Sequence, residues 1–226
     1  MGGSNRNPQV GMKSQLIKNE SWIGSGENNL HRALINHLSA LHSVHNFSRA
    51  QQIRRADRVV FPGQGAIGVC RRELQRLGLI EEILLAVGER PFFGMCLGPQ
   101  VLMDFSEENG GTPGLGVFEG QVRRFPLHLS QGGELLKIPH MGWNRVSQVG
   151  DHALWSGIAD HAWFYFVHSY YLAPERSAEV AGVSEYGMRF PSAIARDNVF
   201  GVQFHPEKSA HDGLRLLSNF CAWEPS

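Results

Sequence analysis

Three side chains of this sequence form a set that can do nucleophilic chemistry: the thiol of Cys96, the imidazole of His205 and the carboxylate of Glu207. Cys96 lies in the run R-P-F-F-G-M-C-L-G-P-Q (90–100), with Gly94 two residues before it and Gly98 two after. An apolar stretch enters this turn and a helix-like segment, 99–108, leaves it. The pattern is a strand–turn–helix elbow, G-x-nucleophile-x-G, with sulfur at the tip. Such a turn holds its tip residue in a costly backbone conformation, so small neighbours are needed. The following helix aims unpaired N–H groups and a partial positive charge at the sulfur. Both favour the thiolate, the attacking form. A free cysteine is more often an inert packing residue; the glycine spacing argues against that here.

The second half lies in N-V-F-G-V-Q-F-H-P-E-K-S (198–209). Val199 to Phe204 reads as a strand by its β-branched and aromatic content. In extended backbone His205 and Glu207 project to one side, and Pro206 favours an extended His205. The carboxylate can then accept from one ring nitrogen, leaving the other free to take a proton from a thiol. A third element, Arg58 to Phe61 followed by Pro62-Gly63-Gln64-Gly65, is a short strand running into a glycine turn. Its backbone N–H groups, with that of Leu97 after the nucleophile, suit a developing oxyanion.

Taken together, G-M-C-L-G-P-Q and F-H-P-E-K-S resemble the class I, triad-type glutamine amidotransferases. The further runs G-G-T-P-G-L-G (110–116), I-P-H-M-G-W-N (138–144), F-Y-F-V-H-S-Y-Y (164–171) and A-R-D-N-V-F-G-V-Q-F-H-P-E-K-S (195–209) are similar to those of the glutaminase subunits of imidazole glycerol phosphate synthase. The likeness is dense from about residue 53 to 223. It implies hydrolysis of glutamine to glutamate and ammonia through a cysteinyl thioester. It implies no cofactor or metal. Its implied partner is the cyclase subunit of the synthase, in a heterodimer that uses the ammonia for histidine biosynthesis.

Carried over by position, Cys96 is the nucleophile, His205 the base and acid, and Glu207 the residue that orients it. Gly63, Gln64, Gly65 and Leu97 form the oxyanion hole. Gln100 and Glu108, with the stretch His168, Ser169 and Tyr170, correspond to the glutamine-binding positions. Asn29, Met141, Trp143, Asn144 and Lys208 correspond to the partner interface. The family opens with an apolar strand ending D-Y-G-M-G-N-L, whereas residues 13–30 here read K-S-Q-L-I-K-N-E-S-W-I-G-S-G-E-N-N-L. Residues 1–52 are therefore atypical. Gln64 stands where valine is frequent, and Pro99 where methionine is frequent; proline suits a first helical turn.

The chain has 226 residues, 21 basic and 21 acidic, a formal net charge of zero. The balance argues against a nucleic-acid surface, and three cysteines do not make a disulfide framework. Cys70 and Cys221 sit at helix-like positions and read as packing. The start M-G-G-S-N-R has no apolar core of a signal peptide, and no run of about 18 apolar residues suggests a membrane span. A reducing cytoplasm is the expected setting. Histidines 37, 42 and 45 lack the i, i+4 spacing of a helical zinc site.

Helix-like segments fall at about 29–42, 66–88, 99–108 and 210–222. Strand-like ones fall at about 58–61, 91–95, 117–125, 135–138, 163–168, 179–184, 192–196 and 199–204. Alternating strand and helix implies parallel pairing. The expectation is one α/β domain: a doubly wound, mostly parallel central sheet flanked by helices, with an antiparallel extension, flavodoxin-like in the manner of class I amidotransferases. Three other functions share the same residues: a paralogous glutaminase feeding another synthase, such as one aminating a sugar; a stand-alone γ-glutamyl hydrolase or cysteine peptidase; and a scaffold that has lost catalysis.

Overall fold

The computed structural model describes residues 14–17, 46–47 and 50–225. Strands β1 (Ser14–Ile17) and β2 (Asn46–Phe47) precede helix α1 (Ala50–Arg54) and β3 (Arg58–Gly63). Helices α2 (Ile67–Arg76) and α3 (Ile80–Glu89) lead to β4 (Phe92–Cys96) and α4 (Leu97–Leu102). Strands β5 (Met103–Ser106), β6 (Thr112–Pro113), β7 (Phe118–Arg124), β8 (Ser130–Gln131) and β9 (Glu134–Leu135) fill the middle. Then come β10 (His140–Gln148), β11 (Ala162–His168), β12 (Tyr170–Pro174), β13 (Val180–Glu185), β14 (Arg189–Arg196), β15 (Val199–Val202) and α5 (Ala210–Ala222).

The main sheet has nine strands in the order β11-β10-β13-β14-β15-β4-β3-β1-β2. From β15 to β2 every pairing is parallel, and from β15 to β11 every pairing is antiparallel. The polar segment S-Q-L-I does form a strand, pairing Ser14 with Arg58 and Leu16 with Val60. A four-stranded sheet, β12-β7-β5-β6, packs beside the main one.

Strands buried on both faces explain the apolar runs around 58–61, 91–95 and 199–202. Val59, Phe61 and Phe92 face one core with Ile67, Leu74 and Ile83. Val60, Phe93, Phe200 and Val202 face a second core with Leu216, Leu217 and Phe220. The period of two thus feeds a different layer with each successive residue.

Two expected helices are shorter than their apolar pattern. The 66–88 segment breaks at Gly78 (φ 65°), where Leu79 N–H reaches the Leu74 carbonyl and Gly78 N–H that of Gln75. That is a Schellman C-cap, open to glycine at little cost. The 99–108 segment ends at Leu102, because Met103–Ser106 is taken into β5 beside β7. The strand expected at 135–138 is replaced by β9 and the long β10, and the expected helix at 29–42 lies outside the described residues.

The elbow glycines are required by contact. A Cβ on Gly94 would lie 2.9 Å from the Pro99 nitrogen, and one on Gly98 would overlap the Phe61 carbonyl oxygen. Neither obstacle is a flexible side-chain end, so the backbone itself would have to move. Gly98→Ala is expected to cost about 1–3 kcal/mol, lowering the thermal midpoint by at least about 2 °C, and to displace α4 from β3. An unchanged melting curve would contradict this packing.

Candidate active site

Strands β3, β4 and β15 are parallel, so all three end at one edge of the sheet, where ligands of open α/β sheets gather. Gly63 pairs with Cys96 at that edge, and Val202 with Met95. Cys96 therefore ends β4 next to the segment that carries His205. Its backbone stands at φ 54°, ψ −96°, a strained setting for a side-chain-bearing residue. A cleft of about 480 Å³ opens here. Gln64, Gly65, Cys96, Leu97, Gln100, Glu108, His168, Ser169, Tyr170, His205 and Lys208 line it. Gly63 lies just behind, at the end of β3 against the Leu97 side chain.

His205 is 3% exposed. Its Nδ1 is 2.8 Å from Glu207 Oε1. The backbone fixes the ring further: His205 N–H donates to the Tyr165 carbonyl at 2.9 Å, and Ser209 Oγ donates to the His205 carbonyl at 2.6 Å. Ser209 Oγ in turn accepts from Tyr165 N–H at 2.9 Å, tying the segment to β11. The alternation expected of an extended chain is not what brings imidazole and carboxylate together. His205 is extended (φ −106°, ψ 93°), but Pro206–Lys208 is a 3₁₀ turn that folds Glu207 back onto it.

His205 Nε2 is buried without a hydrogen-bond partner of good geometry, and the group acting on it is the Cys96 sulfur. Burial disfavours the imidazolium. The Cys96 sulfur and then the Glu207 carboxylate outweigh that effect and carry the His205 pKa up to about 10. An imidazolium beside sulfur is the charge a thiolate nucleophile uses. Burial pushes the Cys70 thiol well up and that of Cys221 up to about 11, as expected of packing residues.

Gln100 donates from its amide nitrogen to the Tyr170 carbonyl at 3.3 Å and to Gln203 Oε1 at 3.0 Å. Gln203, fully buried, donates on to the Cys96 carbonyl at 3.5 Å. Gln203 and Ser209 were not singled out from sequence, although a glutamine between Val202 and Phe204 in a buried strand run is itself a signal. Glu108 lines the cleft and also caps α2, its Oε2 accepting from Ile67 N–H at 2.6 Å. It thereby braces the helix that follows the 63–66 turn.

The residues expected at the partner face divide by strand alternation. Met141 and Trp143 point outward, 62% and 50% exposed. Asn144 turns to the opposite face, where it donates to the Glu185 carbonyl at 2.8 Å. Lys208 sits at the cleft with its ammonium 5.1 Å from the Tyr165 ring centroid. Asn29 and histidines 37, 42 and 45 lie outside the described residues. Among the described residues, no three His, Cys, Asp or Glu side chains converge as a metal site, and no helix is long and apolar enough to cross a membrane.

The buried histidines give the fold an acid limit. Burial lowers His140 to about 4, His168 to about 3, and His152 below its ordinary value. Below about pH 6.5 the unfolded chain takes up protons that the folded one refuses, so stability falls with pH. Each such histidine contributes up to about 1.4 kcal/mol per pH unit across that window. His205 has the opposite sign: its contribution is complete below about 6.5 and is lost as pH rises toward 10. Thermal melts from pH 4 to 10 should give a maximum midpoint near pH 6–7, with a fall on the acid side. A midpoint flat from pH 7 to 5 would contradict neutral burial.

The model of the family described as glutamine amidotransferase class-I matches residues 23–222. The chain is 56% identical over 176 residues to the imidazole glycerol phosphate synthase subunit HisH of Dechloromonas aromatica, covering 76% of this chain and 80% of that protein. It is 51% identical over 207 residues to the HisH subunit of Methylococcus capsulatus, covering 90% and 95%. Among solved structures, a glutamine amidotransferase superposes with TM-score 0.65 at 18% identity, over 94% of this chain and 98% of that one. Another from Thermotoga maritima gives 0.58 at 19%, over 93% and 82%. These structures establish the fold, an α/β class I amidotransferase fold. The sequence match over most of the chain, with a thiol elbow built on that fold, makes this protein a member of the class I glutamine amidotransferase family, on its branch of imidazole glycerol phosphate synthase HisH subunits.

Proposed function

We propose that this chain hydrolyses glutamine and delivers the ammonia to the cyclase subunit of imidazole glycerol phosphate synthase, in cytoplasmic histidine biosynthesis. The observation that carries the reading is the meeting of Cys96, His205 and Glu207 at one sheet edge, in a chain about half identical to HisH subunits. The Cys96 thiolate attacks the carboxamide carbon. The carbonyl oxygen takes the negative charge, and the N–H groups of Leu97 and of the 63–65 turn donate to it. The His205 imidazolium protonates the departing nitrogen, the C–N bond breaks, and ammonia leaves a γ-glutamyl thioester. Water then attacks, His205 takes its proton, the C–S bond breaks, and glutamate departs with the thiolate restored. Glu207 holds the ring in the tautomer this requires.

Gln100, Glu108 and the 168–170 stretch supply polar groups for the ligand's α-carboxylate and ammonium. The exposed Met141 and Trp143, on a strand beside the cleft, are the apolar anchors of a partner surface. Docking there shields the cleft and lets ammonia pass without protonation in bulk water.

The test uses the full chain with the cyclase and its ribonucleotide substrate. Cys96→Ala is expected to abolish glutamine-dependent product formation, by at least about 10³-fold, while ammonium salts still support it through the cyclase. The cyclase and its substrate are expected to raise glutamine turnover by the native chain. Glutamine-dependent turnover surviving in Cys96→Ala would overturn the mechanism. A native chain that cannot restore growth without histidine would point to a different synthase.

A further inference from the structure

His140 is buried behind the cleft and does not line it. Its ring is clamped by neighbours, stacked on Tyr186 at 4.0 Å and on Phe166 at 4.9 Å between centroids. Its Nδ1 is 2.9 Å from His168 Nε2. His168 Nδ1 is 2.7 Å from the Tyr170 carbonyl oxygen. On the far side, Asn144 Nδ2 is 3.3 Å from His140 Nε2.

These three contacts have one direction. A carbonyl oxygen only accepts, so His168 Nδ1 carries the hydrogen. In a neutral ring its Nε2 is then the acceptor, so His140 Nδ1 must donate. His140 Nε2 accepts in turn, and the Asn144 amide is a donor that serves it. Asn144 is itself oriented, because its Oδ1 accepts from Arg145 N–H at 2.8 Å. Each ring nitrogen is therefore committed to one role, and the chain ends on the carbonyl that also receives Gln100.

We propose that Asn144, His140 and His168 form a directional hydrogen-bond relay that sets the Tyr170 carbonyl and, through it, the Gln100 amide in the ligand cleft, with His140 as a positioning residue for glutamine recognition. This rests on the glutaminase reading above. The relay also gives Asn144 an interior task, and it begins on the strand whose other face exposes Met141 and Trp143. A shift of that strand is felt in the cleft through two rings of fixed tautomer. His140→Phe keeps the stacked ring and removes the donor. His140→Asn keeps a donor close to the place of Nδ1.

The test has two readouts on the full chain. The first is the nitrogen-15 spectrum of the histidine rings. The native chain is expected to show both His140 and His168 neutral with hydrogen on Nδ1. In His140→Phe, the hydrogen of His168 is expected to stay on Nδ1, held by the Tyr170 carbonyl, while the Nε2 resonance shifts to that of an acceptor without its donor. The second is alkylation of Cys96 by 6-diazo-5-oxo-L-norleucine, which must occupy the cleft, against iodoacetamide, which need not. His140→Phe is expected to raise the half-saturating concentration of the diazo compound at least five-fold. The limiting rate and the iodoacetamide rate should change less than two-fold, and His140→Asn should recover most of the loss. A native His168 with hydrogen on Nε2, or an unchanged half-saturation in His140→Phe, would overturn the relay. If His140→Phe does not fold, Asn144→Leu tests the same chain from its other end, with the same expected direction. A native chain showing no saturable reaction with the diazo compound would overturn the glutaminase reading, whereas the ring tautomers would stand or fall independently.

Discussion

The site depends on the parallel pairing of β4 with β15. Phe92 against Val199 and Met95 against Val202 fix a register in which both strands reach the same edge together. Cys96 is the next residue on one, and His205 follows three residues after the end of the other. A slip of one residue would exchange the residues facing the two cores. That is costly, because Phe93 and Phe200 are stacked on one face while Phe92 and Val199 pack on the other. The hydrophobic cores thus hold the thiol and imidazole at one edge of the sheet.

Two opposed effects then decide the chemistry. Removing His205 from water favours the neutral ring, and nearly complete burial makes that effect large. It is overcome only because the Cys96 sulfur and the Glu207 carboxylate act on the same ring. His140 and His168, equally buried and without a carboxylate, go the other way and stay neutral. One small region therefore contains a charged histidine for proton transfer and two neutral ones for directional hydrogen bonding. The difference lies in their neighbours.

Much of the site was legible because its chemistry leaves local marks. The elbow glycines have contacts that forbid a side chain, and His-Pro-Glu brings base and carboxylate within one turn. Strands β3, β4 and β15 were legible through apolar runs and α5 through its helical pattern, whereas β1 and β2 lie in the stretch that read as atypical. Other features were hidden because non-local contacts decide them. The 99–108 segment looks helical alone, yet β7 captures Met103–Ser106 as a strand. Periodicity cannot separate α2 from α3, because one glycine cap divides an unbroken amphipathic pattern. His140 looked like part of an interface motif, and only the fold shows His168 and Asn144 on either side of it. Ser209 was invisible for the same reason, and Gln203 showed only as a polar residue in an apolar strand run: their partners lie on β11 and β4.

The central claim is that sulfur and imidazole act as one charged unit, and the pKa of the His205 ring measured by NMR tests it most directly. In the native chain the ring should remain protonated to about pH 10. In Cys96→Ala, with the sulfur gone and burial unchanged, its pKa should fall well below that. A native His205 titrating near its ordinary value of about 6.5, or one indifferent to the loss of Cys96, would contradict the account.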